Sequence, residues 1–120
     1  HMQVPVQITF DNVEHSDAVE VRINEEVVKL EQFYDRLISV RAVVERPQRR
    51  HHKGDTYMVR IVLTVPGGPD IVVNRDPGLN HAHEDIFVAI RDAFAAARRQ
   101  LQDHVRKRQG HVKHHPNQRT

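Results

Sequence analysis

His83–Arg108, HEDIFVAIRDAFAAARRQLQDHVRKR, is the stretch from which the fold can be read outward. Ile86, Ile90, Ala93, Phe94, Ala97, Leu101 and Val105 fall on one face at the three-to-four-residue period of a helix. No glycine or proline interrupts the stretch, and its alanine, leucine, arginine and glutamine favour a helix. Glu84, Asp85 and Asp92 come early, while Arg98, Arg99, Arg106, Lys107 and Arg108 come late, an order that suits the helix dipole. One element thus offers an apolar stripe to a core and a cationic surface to its surroundings. His83 stands at the capping position, and Gly110 is expected to stop the helix.

Working back from this helix, Pro66-Gly67-Gly68-Pro69 is a strong turn signal between two strand-like runs. Thr56–Val65 sets Tyr57, Val59, Ile61, Leu63 and Val65 against Met58, Arg60, Val62 and Thr64, and Asp70–Asn74 is a short strand after the turn. Pro47–Asp55, PQRRHHKGD, holds almost nothing apolar and reads as a long hairpin loop. Ile38–Glu45 is another strand, with Ile38, Val40, Ala42 and Val44 facing one way. Before it, Val19, Ile23, Val27, Leu30, Tyr34 and Leu37 mark a helix to about residue 36, N-capped by Ser16. Val21 and Val28 lie off that stripe and should be partly exposed. Gln3–Phe10 alternates as a half-buried strand with Val4, Val6, Ile8 and Phe10 on one side. Pro5 cannot donate a ladder hydrogen bond, which argues for an edge position or an irregular start.

The order strand, helix, three strands, helix predicts an α/β (α+β) two-layer sandwich, with two helices on one face of a four-stranded mixed sheet. The crossover makes the first two strands parallel, and the hairpins make the rest antiparallel. The other sheet face would carry Arg41, Glu45, Arg60, Thr64 and Asn74 into solvent. Residues 3–109 form the expected domain. Residues 110–120 read as a polar tail or a linker.

Composition narrows the function. The chain has 120 residues, enough for one modest core, and no apolar run approaches the length of a membrane span. His1 reads as a tag remnant before the initiator Met2. With no basic-then-apolar leader, the expected location is the cytoplasm. The absence of cysteine removes disulfides, thiolate metal sites and a cysteine nucleophile. Net charge is only +2, but it is unevenly placed: four bases and nine acids in residues 1–45, six and three in 46–80, eight and four in 81–120. Such asymmetry points to a surface for an anionic partner.

The densest basic segment is the loop with Arg46, Arg49, Arg50, His51, His52 and Lys53, whose guanidinium forks suit phosphates. Arg91, Arg98, Arg99 and Arg106 could form a stripe on the long helix, and Arg22, Lys29 and Arg36 line one side of the first helix at steps of seven. Together they could line one groove, although Glu20, Glu25, Glu26 and Glu31 make the rest of the first helix acidic. The bland alternative is solubilising charge, with arginine stems lying over the core. His81, His83, Glu84 and Asp85 crowd possible metal ligands, but neither an HExxH pair nor zinc-finger spacing occurs, and no cofactor is expected. Ser16 and Ser39 lie in no nucleophile elbow, and the glycine pair precedes no phosphate-binding helix, so no enzyme is expected. The six aromatic side chains fall mostly on core stripes, which weighs against stacking on single-stranded RNA and favours backbone and shape contacts to folded RNA.

Lys29-Leu30-Glu31, the turn Val65-Pro66-Gly67-Gly68, and His83-Glu84-Asp85-Ile86-Phe87-x-Ala89-Ile90 followed by Arg99-Gln100-Leu101 resemble the ribosome hibernation-promoting factor and ribosome-associated inhibitor family. The HED-aromatic-x-A-I run is the most specific part, and the likeness spans residues 3 to about 108. The resemblance implies the same β-α-β-β-β-α fold and a protein that binds the small ribosomal subunit between head and body. There it would occupy the messenger and transfer-RNA path and silence idle ribosomes under stress. It carries ribosomal RNA contact onto Arg22, Lys29, Arg91, Arg98 and Arg99. Glu20, Glu25 and Glu26 depart from the basic first helix of the family, and the basic loop is expected to compensate. Long members add a C-terminal domain that pairs ribosomes, so such a domain or a dimer partner is a further expectation. Two other readings stay open: an interaction module using the exposed sheet face, and a histidine metal-binding protein.

Overall fold

The computed structural model describes residues 4–46, 57–75 and 85–114, with the backbone alone for 75 and 110–114. The elements are β1 (Val6–Asp11), α1 (Asp17–Phe33), β2 (Ser39–Glu45), β3 (Met58–Thr64), β4 (Ile71–Arg75) and α2 (Ile86–His114). They form the expected α+β sandwich, a four-stranded sheet in the order β1-β2-β3-β4 with both helices on one face. β1 pairs parallel with β2, Ile8 beside Ala42, because α1 carries the chain back between them. β2–β3 and β3–β4 are antiparallel, with Ala42 opposite Ile61 and Ile61 opposite Val73. β1 is an edge strand, consistent with Pro5 just before it, whose carbonyl accepts from Val40 N–H.

Alternation sets the core. Val40, Ala42, Val44, Val59, Ile61, Leu63 and Val73 point toward the helices and are buried. They meet Val19, Ile23, Val27 and Leu30 of α1 and Ala89, Ile90, Ala93, Phe94, Ala97 and Leu101 of α2. Ile23 and Ile90 are wholly buried; truncating either to alanine should cost about 2–5 kcal/mol. Val21 and Val28 are exposed, as their place off the stripe predicts. Ser16 caps α1, its hydroxyl accepting from Val19 N–H at 3.3 Å.

Five local expectations are corrected. α1 ends at Phe33, where Tyr34 turns extended and its N–H closes on Leu30 O. The bend before β2 then buries Leu37, as its place on the stripe predicts, but leaves Ile38 half exposed instead of facing the core with Val40. On the outer sheet face Arg41, Arg60 and Asn74 are exposed, but Val62 is covered between Arg41 and Val72 on the flanking strands. α2 begins at Ile86, with Asp85 as its cap: the carboxylate accepts from Phe87 N–H at 2.9 Å and the carbonyl from Ala89 N–H. At its far end α2 runs through Gly110 to His114. A glycine inside a helix costs only about 1 kcal/mol relative to alanine, and its neighbours carry the helix past it. His83 lies outside the described residues.

Candidate nucleic-acid interface

α1 and α2 both run antiparallel to β1, so their C-terminal ends share one end of the molecule. There the Arg98 guanidinium lies 4.8 Å from the centre of the Phe33 ring. Tyr34 meets His104 edge to face at 6.1 Å. These contacts mark the two helix flanks that face each other across a groove.

On α1 that flank is Arg22, Glu26, Lys29 and Phe33, with Arg36 just beyond, at steps of three and four. Glu20, Asn24 and Glu31 fall on the opposite flank by the same geometry. Of the acids expected to dilute α1, Glu26 lies within this flank, and the exposed Glu25, three residues after Arg22 and four before Lys29, lies at its outer edge. Glu26 is mostly buried and takes both cations, at 3.2 Å from Arg22 Nε and 3.8 Å from Lys29 Nζ.

On α2 the expected single stripe splits. Arg91 and Arg98, seven residues apart, share the flank facing α1. Arg99 is a further 100° round the helix and lines a shallow depression of about 360 Å³ with Val73, Asn74 and Ala96 on the β4 side. Arg106 lies on the outer crest and reaches Asp103 at 3.4 Å, both largely exposed. Arg91 pairs with the adjacent Asp92 at 3.3 Å. Among the described residues, Arg98 and Arg99 have no carboxylate partner. Arg98 does lie over an apolar ring, as a stem-over-core reading expects, yet its charge meets no counter-charge.

Arg49, Arg50 and Lys53 lie outside the described residues. Their segment leaves the sheet between Arg46 and Tyr57, at the end opposite Arg98 and Arg108. Arg46 folds back there, donating from Nη2 to Tyr57 Oη at 2.6 Å.

Two groupings went unseen in the sequence. At the shared C-terminal end, Phe33, Tyr34, Arg36, Val105 and Arg108 line a groove of about 460 Å³. Arg108 also donates from Nη1 to Gly67 O at 3.3 Å, and Gly67 has φ +73°, a left-handed turn conformation that favours glycine. No local signal reveals this groove, because its walls lie some seventy residues apart in sequence. At the other end of α1, His15 sits between Glu20 (Nε2 to Oε2, 2.9 Å) and Asp17 (Nδ1 to Oδ1, 3.7 Å). This His/Asp/Glu trio has ligand atoms within 4.8 Å of one another, and its geometry is that of an exposed ion-paired helix start. Of the metal candidates expected from sequence, His81, His83 and Glu84 lie outside the described residues and Asp85 serves as a cap. No described helix is long and apolar enough to cross a membrane.

Comparison with known proteins bears on this arrangement. The fold is similar to that of a ribosomal subunit interface protein from Coxiella burnetii, at 12% identity and TM-score 0.63, covering 84% of this chain and 97% of that one. It is also similar to the N-terminal domain of Protein Y from Thermus thermophilus, at 18% identity and TM-score 0.55, covering 85% and 98%. A comparison with curated proteins finds no match. The sequence model of the family described as Sigma 54 modulation protein / S30EA ribosomal protein matches residues 6–109, all six secondary-structure elements save the last turn of α2. The chain belongs to that family, the hibernation-promoting factor family that its HEDIFVAI run and element order resemble.

Proposed function

We propose that this protein is a non-enzymatic, ribosome-associated translation inhibitor of the bacterial cytoplasm. It binds the small ribosomal subunit through ribosomal RNA and blocks messenger and transfer-RNA sites near the decoding region. The observation that carries this reading is the α1–α2 groove. Arg22, Lys29, Arg91 and Arg98 flank it, Arg99 and Arg106 extend its basic rim, and Glu26 lies within its α1 flank with Glu25 at the outer edge. Membership of a family described as Sigma 54 modulation protein / S30EA ribosomal protein supports it. Affinity comes from phosphate contacts and inhibition from occupancy, so no bond is made or broken. Arg49, Arg50 and Lys53, outside the described residues, are the further phosphate contacts that this reading includes.

The test is sedimentation with purified subunits and a competing transfer RNA. The protein should pellet with small subunits, not with large ones, and saturating transfer RNA and messenger should displace it. Equal pelleting with both subunits, or no competition, would remove the proposed mechanism.

A second reading, pairing of two copies through the outer sheet face, has the half-exposed Val72 in its favour. Arg41 and Arg60 cross the same face. A salt-insensitive dimer on sizing would favour it; a monomer removes it.

A further inference from the structure

The groove at the shared C-terminal end of α1 and α2 differs from the rest of the helical surface in chemistry as well as shape. Its floor and one wall are the half-buried rings of Phe33 and Tyr34; Val105 adds an apolar contact. Arg36 and Arg108 stand at its rim, and Asp35 is the one acid among its lining residues. Arg36 makes no ion pair among the described residues, and the single polar contact of Arg108 there is the neutral carbonyl of Gly67. At about 460 Å³ the groove falls in the usual range for small-ligand sites, about 300–1,000 Å³.

Aromatic surface beside unneutralised guanidinium groups is the recognition chemistry of a nucleotide, a flat base with a phosphate attached. We propose that this groove receives one unpaired nucleotide of an RNA, its base against Tyr34 and Phe33 and its phosphate between Arg36 and Arg108. The proposal rests on the RNA-binding reading and makes it more specific. The sheet offers no aromatic platform for a strand, and the groove has room beside one aromatic pair. The occupant is therefore a single bulged or flipped nucleotide in an otherwise folded RNA. Backbone charge along the groove supplies affinity, and this end supplies preference for a defect in the helix.

The chain has two tyrosines and no tryptophan, so Tyr57→Phe leaves Tyr34 as the sole tyrosine emitter. Three probes are titrated against that variant: a stem-loop RNA with one bulged uridine, the same stem-loop fully paired, and uridine monophosphate. The bulged RNA should quench Tyr34 and bind about tenfold tighter than the paired one, the effect of one stacked base. Uridine monophosphate should bind far more weakly than either. Tyr34→Leu, kept only if its melting curve shows a folded protein, should lose the preference for the bulge yet keep affinity for the paired stem. Tyr34→Phe should retain the preference, read by direct binding. Arg36→Gln should lower the salt slope for both RNAs by about one. Equal binding of the two stem-loops, a preference that survives Tyr34→Leu, or mononucleotide binding as tight as the bulge would each overturn the proposal. Wild-type pelleting with small subunits separates the two levels. If it fails, the RNA-binding reading is wrong; if it holds without a bulge preference, only this inference is.

Discussion

α1 and α2 present cations to each other at the same seven-residue spacing, Arg22 and Lys29 on one, Arg91 and Arg98 on the other, but those cations meet different company. On α1, Glu26 stands four residues after Arg22 and three before Lys29 and takes both. On α2, the positions three and four residues either side of Arg98 are Phe94, Ala95, Leu101 and Gln102, and none is acidic. Asp103, four residues beyond Arg99, is taken by Arg106. What a helix offers a phosphate is therefore set by which acids stand at i±3 and i±4, more than by how many bases it carries. By this account α2 dominates the interface and α1 acts chiefly as the opposite wall.

That contrast can be broken by substitution. The largest effect is expected for Arg98→Glu with Arg99→Glu, which reverses two α2 cations that have no carboxylate partner among the described residues. Binding to small subunits should fall roughly a hundredfold at low salt, with melting little changed. Retained binding would mean that α2 is not the dominant face. Next comes Glu26→Gln, which frees Arg22 and Lys29. Affinity should rise about two- to fivefold, and the salt slope should steepen by up to one or two. Stability should fall by about 1 kcal/mol in a denaturant titration, because Glu26 is mostly buried while Arg22 and Lys29 reach solvent. Arg22→Gln with Lys29→Gln should lower affinity less than about threefold, since Glu26 already offsets these charges. A loss equal to that from neutralising Arg98 and Arg99 would erase the distinction between the helices. The smallest effect lies at the far end of α2. Gly110→Ala should raise stability by about 0.5–1 kcal/mol if the helix runs through that position, and lower it if the position is a left-handed cap.

Much of this architecture is legible in the chain because periodicity is a local property. The two-residue alternation of Val40, Ala42 and Val44 and the helical spacing of Val19, Ile23 and Val27 each name a buried face, and both faces are buried. Ser16 is equally legible, since a cap needs only its own hydroxyl and the next turn. Errors arise where a weak local signal competes with its neighbours. Gly110 reads as a stop, but its intrinsic cost is small, and the helix continues. Ile38 turns out of the core because the bend after α1 resets the alternation, and no periodicity reports a bend.

The site was readable in part. The bases of α1 and α2 are found from charge alone, and their facing flanks follow from spacing. That Arg98 and Arg99 diverge follows from 100° per residue, yet their adjacency in sequence invites grouping them as one stripe. The neutralising position of Glu26 also follows from spacing, once it is known which flank of α1 faces α2. The groove of Phe33, Tyr34, Arg36 and Arg108 is different in kind, because it exists only when two parallel helices end side by side.

The most direct test is the salt dependence of small-subunit binding, compared between the wild-type protein, Arg98→Gln/Arg99→Gln and Arg22→Gln/Lys29→Gln. Log affinity against log salt should be linear and steep for the wild type. The α2 double variant should lose nearly two from the slope, and the α1 double variant less than one. A wild-type slope near zero, or equal losses in the two variants, would contradict the claim that unneutralised cations of α2 hold this protein to RNA.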